Sequence, residues 1–110
     1  MPLYMYQLAY TSQSWAAQLK NPQNRIETVA RQASEAVGGK FVSGWYCFGD
    51  YDAVIILDLP DNESMAAVAL AVEAGGAVRA GKTTVLMSGA QAVEAMKKTA
   101  LVSKIYRPAL

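Results

Sequence analysis

Histidine is absent from this sequence, and cysteine occurs once, at position 47. Without histidine the chain has no ordinary general base titrating near neutral pH. The Ser-His-Asp and Cys-His nucleophile systems and every His-containing zinc or haem site are excluded with it. A lone Cys47 forms neither an internal disulfide nor a thiolate metal cluster, which fits a reducing cytosol and gives no metal or cofactor to expect. Charge of one sign is also scarce. Lys and Arg number 10 against 9 Asp and Glu, a net charge of +1, so no broad field steers nucleic acid or anionic membrane toward the protein. A long apolar run is missing too. Residues 1–19 carry no charge, but Gln7, Thr11, Ser12, Gln13, Ser14 and Gln18 interrupt them and no basic residue precedes them. Such a stretch is neither a membrane span nor a signal peptide. The expectation is a soluble cytoplasmic protein with neither nucleic acid nor membrane as partner.

What the chain does have is apolar mass. Hydrophobic residues make up 53% of its 110 residues and charged ones 17%, a composition that excludes disorder and suits one compact domain over residues 1–110. No linker, low-complexity run or charge block divides it.

Leu3 to Tyr10, rich in Tyr, Leu and Met, reads as a strand. Thr11-Ser12 offers a cap for a short helical segment over Gln13 to Lys20. Asn21-Pro22 has the pattern of an N-cap followed by proline at the first helical position. Ile26, Val29, Ala30, Ala33 and Val37 then recur at helical spacing until Gly38-Gly39. Phe41 to Phe48 and Tyr51 to Leu59 read as strands joined by a Gly49-Asp50 hairpin turn. Pro60-Asp61 opens a helix with Met65, Val68, Ala69 and Val72 as its buried stripe, and Gly75-Gly76 stops it. Val78 to Met87 is a fourth, more polar strand, and Ser88 caps a last helix through Ala90, Val93 and Met96. The order β-α-β-β-α-β plus a trailing helix predicts a ferredoxin-like α+β sandwich. Strands one and three are central in that fold. The glycine-interrupted second strand and the polar fourth strand suit the edges.

Two helices cover one face of such a sheet, so the other face should be polar if it meets water. It is not. Leu3/Met5/Ala9 oppose Tyr4/Tyr6/Leu8/Tyr10 in the first strand, and Val54/Ile56 oppose Ala53/Ile55/Leu57/Leu59 in the third. A sheet apolar on both faces predicts a homodimer or higher oligomer, unless the trailing helix folds across the open face.

Gly76-Ala-Val-Arg-Ala-Gly81-Lys82-Thr83 matches the P-loop expression. A working P-loop joins a strand to a helix. Here an Ala-rich helical stretch precedes the match, and the strand-forming Thr83, Thr84 and Val85 follow it. Arg79, Lys82, Thr83 and Thr84 read instead as charge and polarity protecting an edge strand.

At the hairpin stands Phe48-Gly49-Asp50-Tyr51-Asp52. With the Tyr-rich opening strand, Asn21-Pro22 and Arg25, Gly38-Gly39-Lys40, Pro60-Asp61 and Gly76-Ala77-Val78-Arg79, in that order, the chain resembles the GYD-domain family, named for a Gly-x-Tyr-Asp signature. The likeness runs over about the first hundred residues. It implies a ferredoxin-like, dimeric α+β-barrel type of small protein and brings no catalytic residues with it. Ala80-Gly81-Lys82 departs from the threonine- and glutamate-containing run the resemblance leads one to expect after that arginine.

The hairpin places Cys47 across from Asp52 and Phe48 across from Tyr51. One reading is a small-molecule pocket beside the sheet, with Asp52 as base or ligand anchor and Tyr51 as proton donor. Arg25, Lys40 or Arg79 would pair with an anionic group of the ligand. The plainer reading has Tyr51 packing and Asp52 accepting backbone N–H bonds in the turn. Three functional classes follow: a homo-oligomer binding a small molecule beside the sheet, a cofactor-free oxygenase or isomerase with Asp52 as base, and a structural or regulatory interaction module.

Overall fold

The computed structural model describes residues 1–110. Its elements in chain order are β1 (Leu3–Tyr10), α1 (Ser12–Lys20), α2 (Arg25–Ala36), β2 (Lys40–Tyr46), β3 (Ala53–Asp58), α3 (Asn62–Ala74), β4 (Val78–Leu86) and α4 (Gly89–Ser103). The four strands form one antiparallel sheet in the order β2-β3-β1-β4. The two central strands are the two most apolar, and β2 and β4 are the edges, giving the ferredoxin-like α+β arrangement. β1 and β3 alternate as expected of half-covered strands. Tyr4, Tyr6, Leu8, Tyr10, Ala53, Ile55 and Leu57 are buried against the helices. Ile26 and Ala30 of α2 and Met65 and Val68 of α3 complete that core.

Caps explain the helix starts. Thr11, Asp61 and Ser88 each accept a backbone N–H of the first turn, and Ser88 with Gln91 forms a reciprocal capping box. The start of α2 differs from the sequence expectation. Asn21 closes α1, Pro22 lies in the connection, and Asn24 is the N-cap, with Arg25 as the first helical residue. Two asparagines three residues apart both suit a cap, and the site went to the one immediately preceding Arg25. Gly38 and Gly76, at φ +81°, follow the two core helices as residues in the left-handed region.

The hairpin is also wider than a two-residue turn. The regular strands end at Tyr46 and Ala53, although Cys47 N–H still donates to Asp52 O at 2.9 Å. The Gly76–Thr83 segment leaves its turn directly into β4, so no helix N-terminus is present to cradle a phosphate.

The open face of the sheet carries Leu3, Met5 and Gln7 of β1, Val54, Ile56 and Asp58 of β3, Ser43 and Trp45 of β2, and Lys82, Thr84 and Leu86 of β4, placed together by register. Helix α4 does not fold over it. No residue of α4 is buried, and Val93, Met96, Leu101 and Val102 all face outward.

Candidate functional site

Helices α2 and α3 stand apart over the sheet and leave a cleft of about 410 Å³ between them. Leu8, Ile55 and Leu57 form its floor, Val29 and Ala33 one wall, and Val68, Ala71 and Val72 the other. The small residues on both helices explain the space. Alanine at positions 33 and 71 leaves a gap where larger side chains would interlock. Three lining residues carry polar side-chain atoms: Tyr6, Tyr10 and Arg25.

Tyr4 and Tyr6 lie on the same face of β1 but have different hydrogen bonding. Tyr4 O–H donates to Asn62 Oδ1 at 2.7 Å. The Tyr6 hydroxyl is buried and has no partner. It comes up against Gly81 of β4, beside the Glu73 carboxylate. A Cβ at position 81 would collide with that hydroxyl and lie 2.9 Å from Glu73 Oε1, so glycine there makes room for the tyrosine. Burial first, and the Glu73 charge second, push the Tyr6 phenol up to about 12. It is therefore a neutral donor at every physiological pH. Burial also raises Tyr10; Tyr46 and Asp52 add to the shift, and the Arg25 guanidinium opposes it.

Arg25 stands at the cleft mouth, exposed and in no ion pair; the two ion pairs of the chain are Arg31–Glu27 and Lys97–Glu94. It also borders a second, polar hollow of about 520 Å³ under α1, lined by Thr11, Gln13, Gln18, Asn21 and Gln23 among others.

Of the five residues singled out from sequence, Arg25 alone lines the cleft. Lys40 begins β2 opposite Asp58, and Arg79 occupies the register shift of β4 opposite Ala9 and Tyr10. Tyr51 lies in the hairpin loop, where its carbonyl accepts from Cys47 Sγ–H at 3.1 Å. Asp52 is engaged nearby through its backbone and one carboxylate oxygen. Its N–H donates to Leu8 O at 2.8 Å, and its Oδ2 accepts from Tyr10 N–H at 2.8 Å and from Trp15 Nε1–H at 3.3 Å. The carboxylate thus continues the β1–β3 pairing beyond Leu8 and Ala53, where the backbone of the loop turns away. Trp15, held this way, packs edge-on against the Tyr10 ring at 5.2 Å.

These hairpin residues are the ones a Gly-x-Tyr-Asp signature names, and the GYD-domain family model matches residues 4–96. The chain belongs to the GYD-domain family. Among solved structures, this GYD-domain protein is similar to the crystal structure of MtbAldR, with a TM-score of 0.59 at 15% identity. The match covers 79% of this chain and 52% of that one, so the GYD-domain protein spans about half its length, and the likeness is one of fold. No curated protein sequence matches the GYD-domain protein. None of its helices is long and apolar enough to cross a membrane.

From sequence, the tyrosines of the first strand could line a cavity but read more readily as core or interface, so Tyr6 and Tyr10 are not among the candidate site residues. The alternation of β1 placed both on one face. What it did not show was that Gly81 would stand beside the Tyr6 hydroxyl in place of a hydrogen-bonding partner.

Proposed function

We propose that this GYD-domain protein is a homodimeric small-molecule-binding protein whose ligand lies between α2, α3 and the sheet. The observation that carries this reading is the cleft itself: about 410 Å³, in direct contact with the core and lined almost wholly by apolar side chains. Its size is in the range of ligand pockets, roughly 300–1,000 Å³. The walls offer no carboxylate, thiol or metal-binding cluster. That supports binding over a proton-abstracting enzyme. Asp52 supports it too, since its carboxylate is held by Tyr10 and Trp15 and lines neither hollow.

The dimer rests on surface area. The chain exposes 7597 Å², where a compact monomer of 11.8 kDa exposes about 5,900 Å². The excess, about 1,700 Å², exceeds the ~800 Å² each partner contributes to a standard interface. Its radius of gyration is 17.4 Å, against about 13 Å for a compact domain of this length. The apolar open face of the sheet and the bare α4 account for the extension, and a second copy of the chain buries the face symmetrically.

The test fills the cleft. Saturable binding of an uncharged solvatochromic dye is expected for the wild-type chain and is lost in Ala33→Trp with the far-ultraviolet circular dichroism unchanged. Equal dye binding by a folded Ala33→Trp protein would contradict the site.

A further inference from the structure

The cleft and the polar hollow meet at Arg25, which lines both, as do Gly75 and Ala77. The two spaces differ sharply in chemistry. Inward from Arg25 the walls are Ile, Leu, Val and Ala; outward they are the amides and hydroxyls of Gln13, Gln18, Asn21, Gln23 and Thr11. A molecule lying across this boundary is sorted by it, with its apolar part on the core side and its polar end at the guanidinium.

Arg25 is the one charged side chain in the cleft wall and has no carboxylate of the protein to pair with. Its neighbour Tyr10 also lines the cleft, and the Tyr10 hydroxyl donates to no group of the protein. A guanidinium and a phenol at one mouth supply N–H and O–H donors, the donor set that fits a carboxylate; the one carboxylate near Tyr10, Asp52, accepts from Tyr10 N–H and Trp15 Nε1–H. The change from apolar walls to polar hollow therefore fixes the orientation, with the charged end at Arg25.

Resting on the binding site proposed above, we infer that the ligand is an apolar monocarboxylate, an acyl or aryl acid. It enters tail first between α2 and α3 and leaves its carboxylate on Arg25 and Tyr10 at the edge of the polar hollow. The apolar body supplies the burial and the carboxylate supplies the selectivity. At roughly 1.5–3 kcal/mol per charged hydrogen bond, a carboxylate is favoured over the corresponding alcohol by about tenfold or more.

The experiment titrates the full-length protein with decanoate and with decanol by calorimetry, for the wild type, Arg25→Leu and Tyr10→Phe. The wild type is expected to bind decanoate at least tenfold more tightly than decanol. Arg25→Leu should remove that preference while keeping decanol binding, and Tyr10→Phe should reduce the preference severalfold. Decanol binding the wild type as tightly as decanoate, or an unchanged preference in Arg25→Leu, would overturn the assignment of the acid and leave the cleft as the binding site. Neither molecule binding would overturn the acid assignment and the site together. A decanoate affinity unaffected by Ala33→Trp would place the acid elsewhere on the molecule and overturn the inference as well.

Discussion

Replacing Asp52 separates its two readings, because the hydrogen bonds of this residue are explicit. In Asp52→Ala, the Tyr10 N–H loses its 2.8 Å acceptor and Trp15 Nε1–H loses its 3.3 Å one. The first is a charge-assisted bond to a part-buried backbone donor, worth about 1.5–3 kcal/mol; the second is longer and adds less. The expected loss is about 2–3 kcal/mol, or a fall in Tm of about 8–12 °C for a domain of this size. Asp52→Asn keeps an acceptor oxygen and loses only the charge, so it should cost about 1 kcal/mol. Thermal unfolding followed by circular dichroism, at one fixed chain concentration, measures both. A graded loss, Ala greater than Asn, is the signature of a clasp. If Asp52→Ala melts within 2 °C of the wild type, roughly the span of a neutral surface substitution, the clasp does not contribute and the reasoning fails.

Gly81→Ala should destabilise the protein by about 1–2 kcal/mol, because the new methyl group overpacks the Tyr6 hydroxyl; combined with Tyr6→Phe, part of that cost should disappear in denaturant unfolding, the contacts to Glu73 Oε1 and Tyr6 Cζ remaining. For pH, Tyr6 has a folded pKa of about 12 against an ordinary 10.0. Its neutral form is favoured by folding, so the contribution is fully present below pH 10 and is lost as pH rises from there through about 12. Phenolate absorbance should accordingly show a late-titrating phase to which Tyr4 and Tyr10, also raised, contribute, and Tyr6→Phe should reduce its amplitude by one tyrosine. Ile56→Lys puts a charge at the centre of the open sheet face. Sedimentation should show the wild type as a dimer and the variant as a folded monomer; a wild-type monomer at micromolar concentration would remove the dimer.

The sheet was legible because its signals are redundant. The period-two alternation in Leu3–Tyr10 and Ala53–Asp58, the glycine-interrupted Lys40–Tyr46 and the polar Val78–Leu86 agree on both order and faces. The α2 start was not, since Asn21 and Asn24 offer equivalent caps and only packing of Ile26 decides between them. The hairpin motif drew attention to Tyr51 and Asp52 because their spacing is conspicuous. The structure uses Asp52 to hold Tyr10 and Trp15, and so to hold one end of the strand that floors the cleft. Arg25 was legible as a cation near an apolar helix face. The floor and the opposite wall come from β1, β3 and α3, more than ten residues from Arg25, and no local pattern records that Ala33 and Ala71 leave a gap between the helices. The trailing helix has the caps and spacing of a core helix, yet none of its residues is buried by its own chain. Periodicity reports that a face is apolar and does not report which surface covers it.

The most direct test of the central claim maps where an apolar acid binds. In a methyl-labelled sample titrated with decanoate, the methyl resonances of Val29, Val68 and Val72, which line the cleft, should shift saturably. Those of Val54 and Ile56, on the opposite face of the sheet, should stay in place. Shifts confined to Val54 and Ile56, or no saturable shift at the three cleft valines, would contradict a ligand site between the helices.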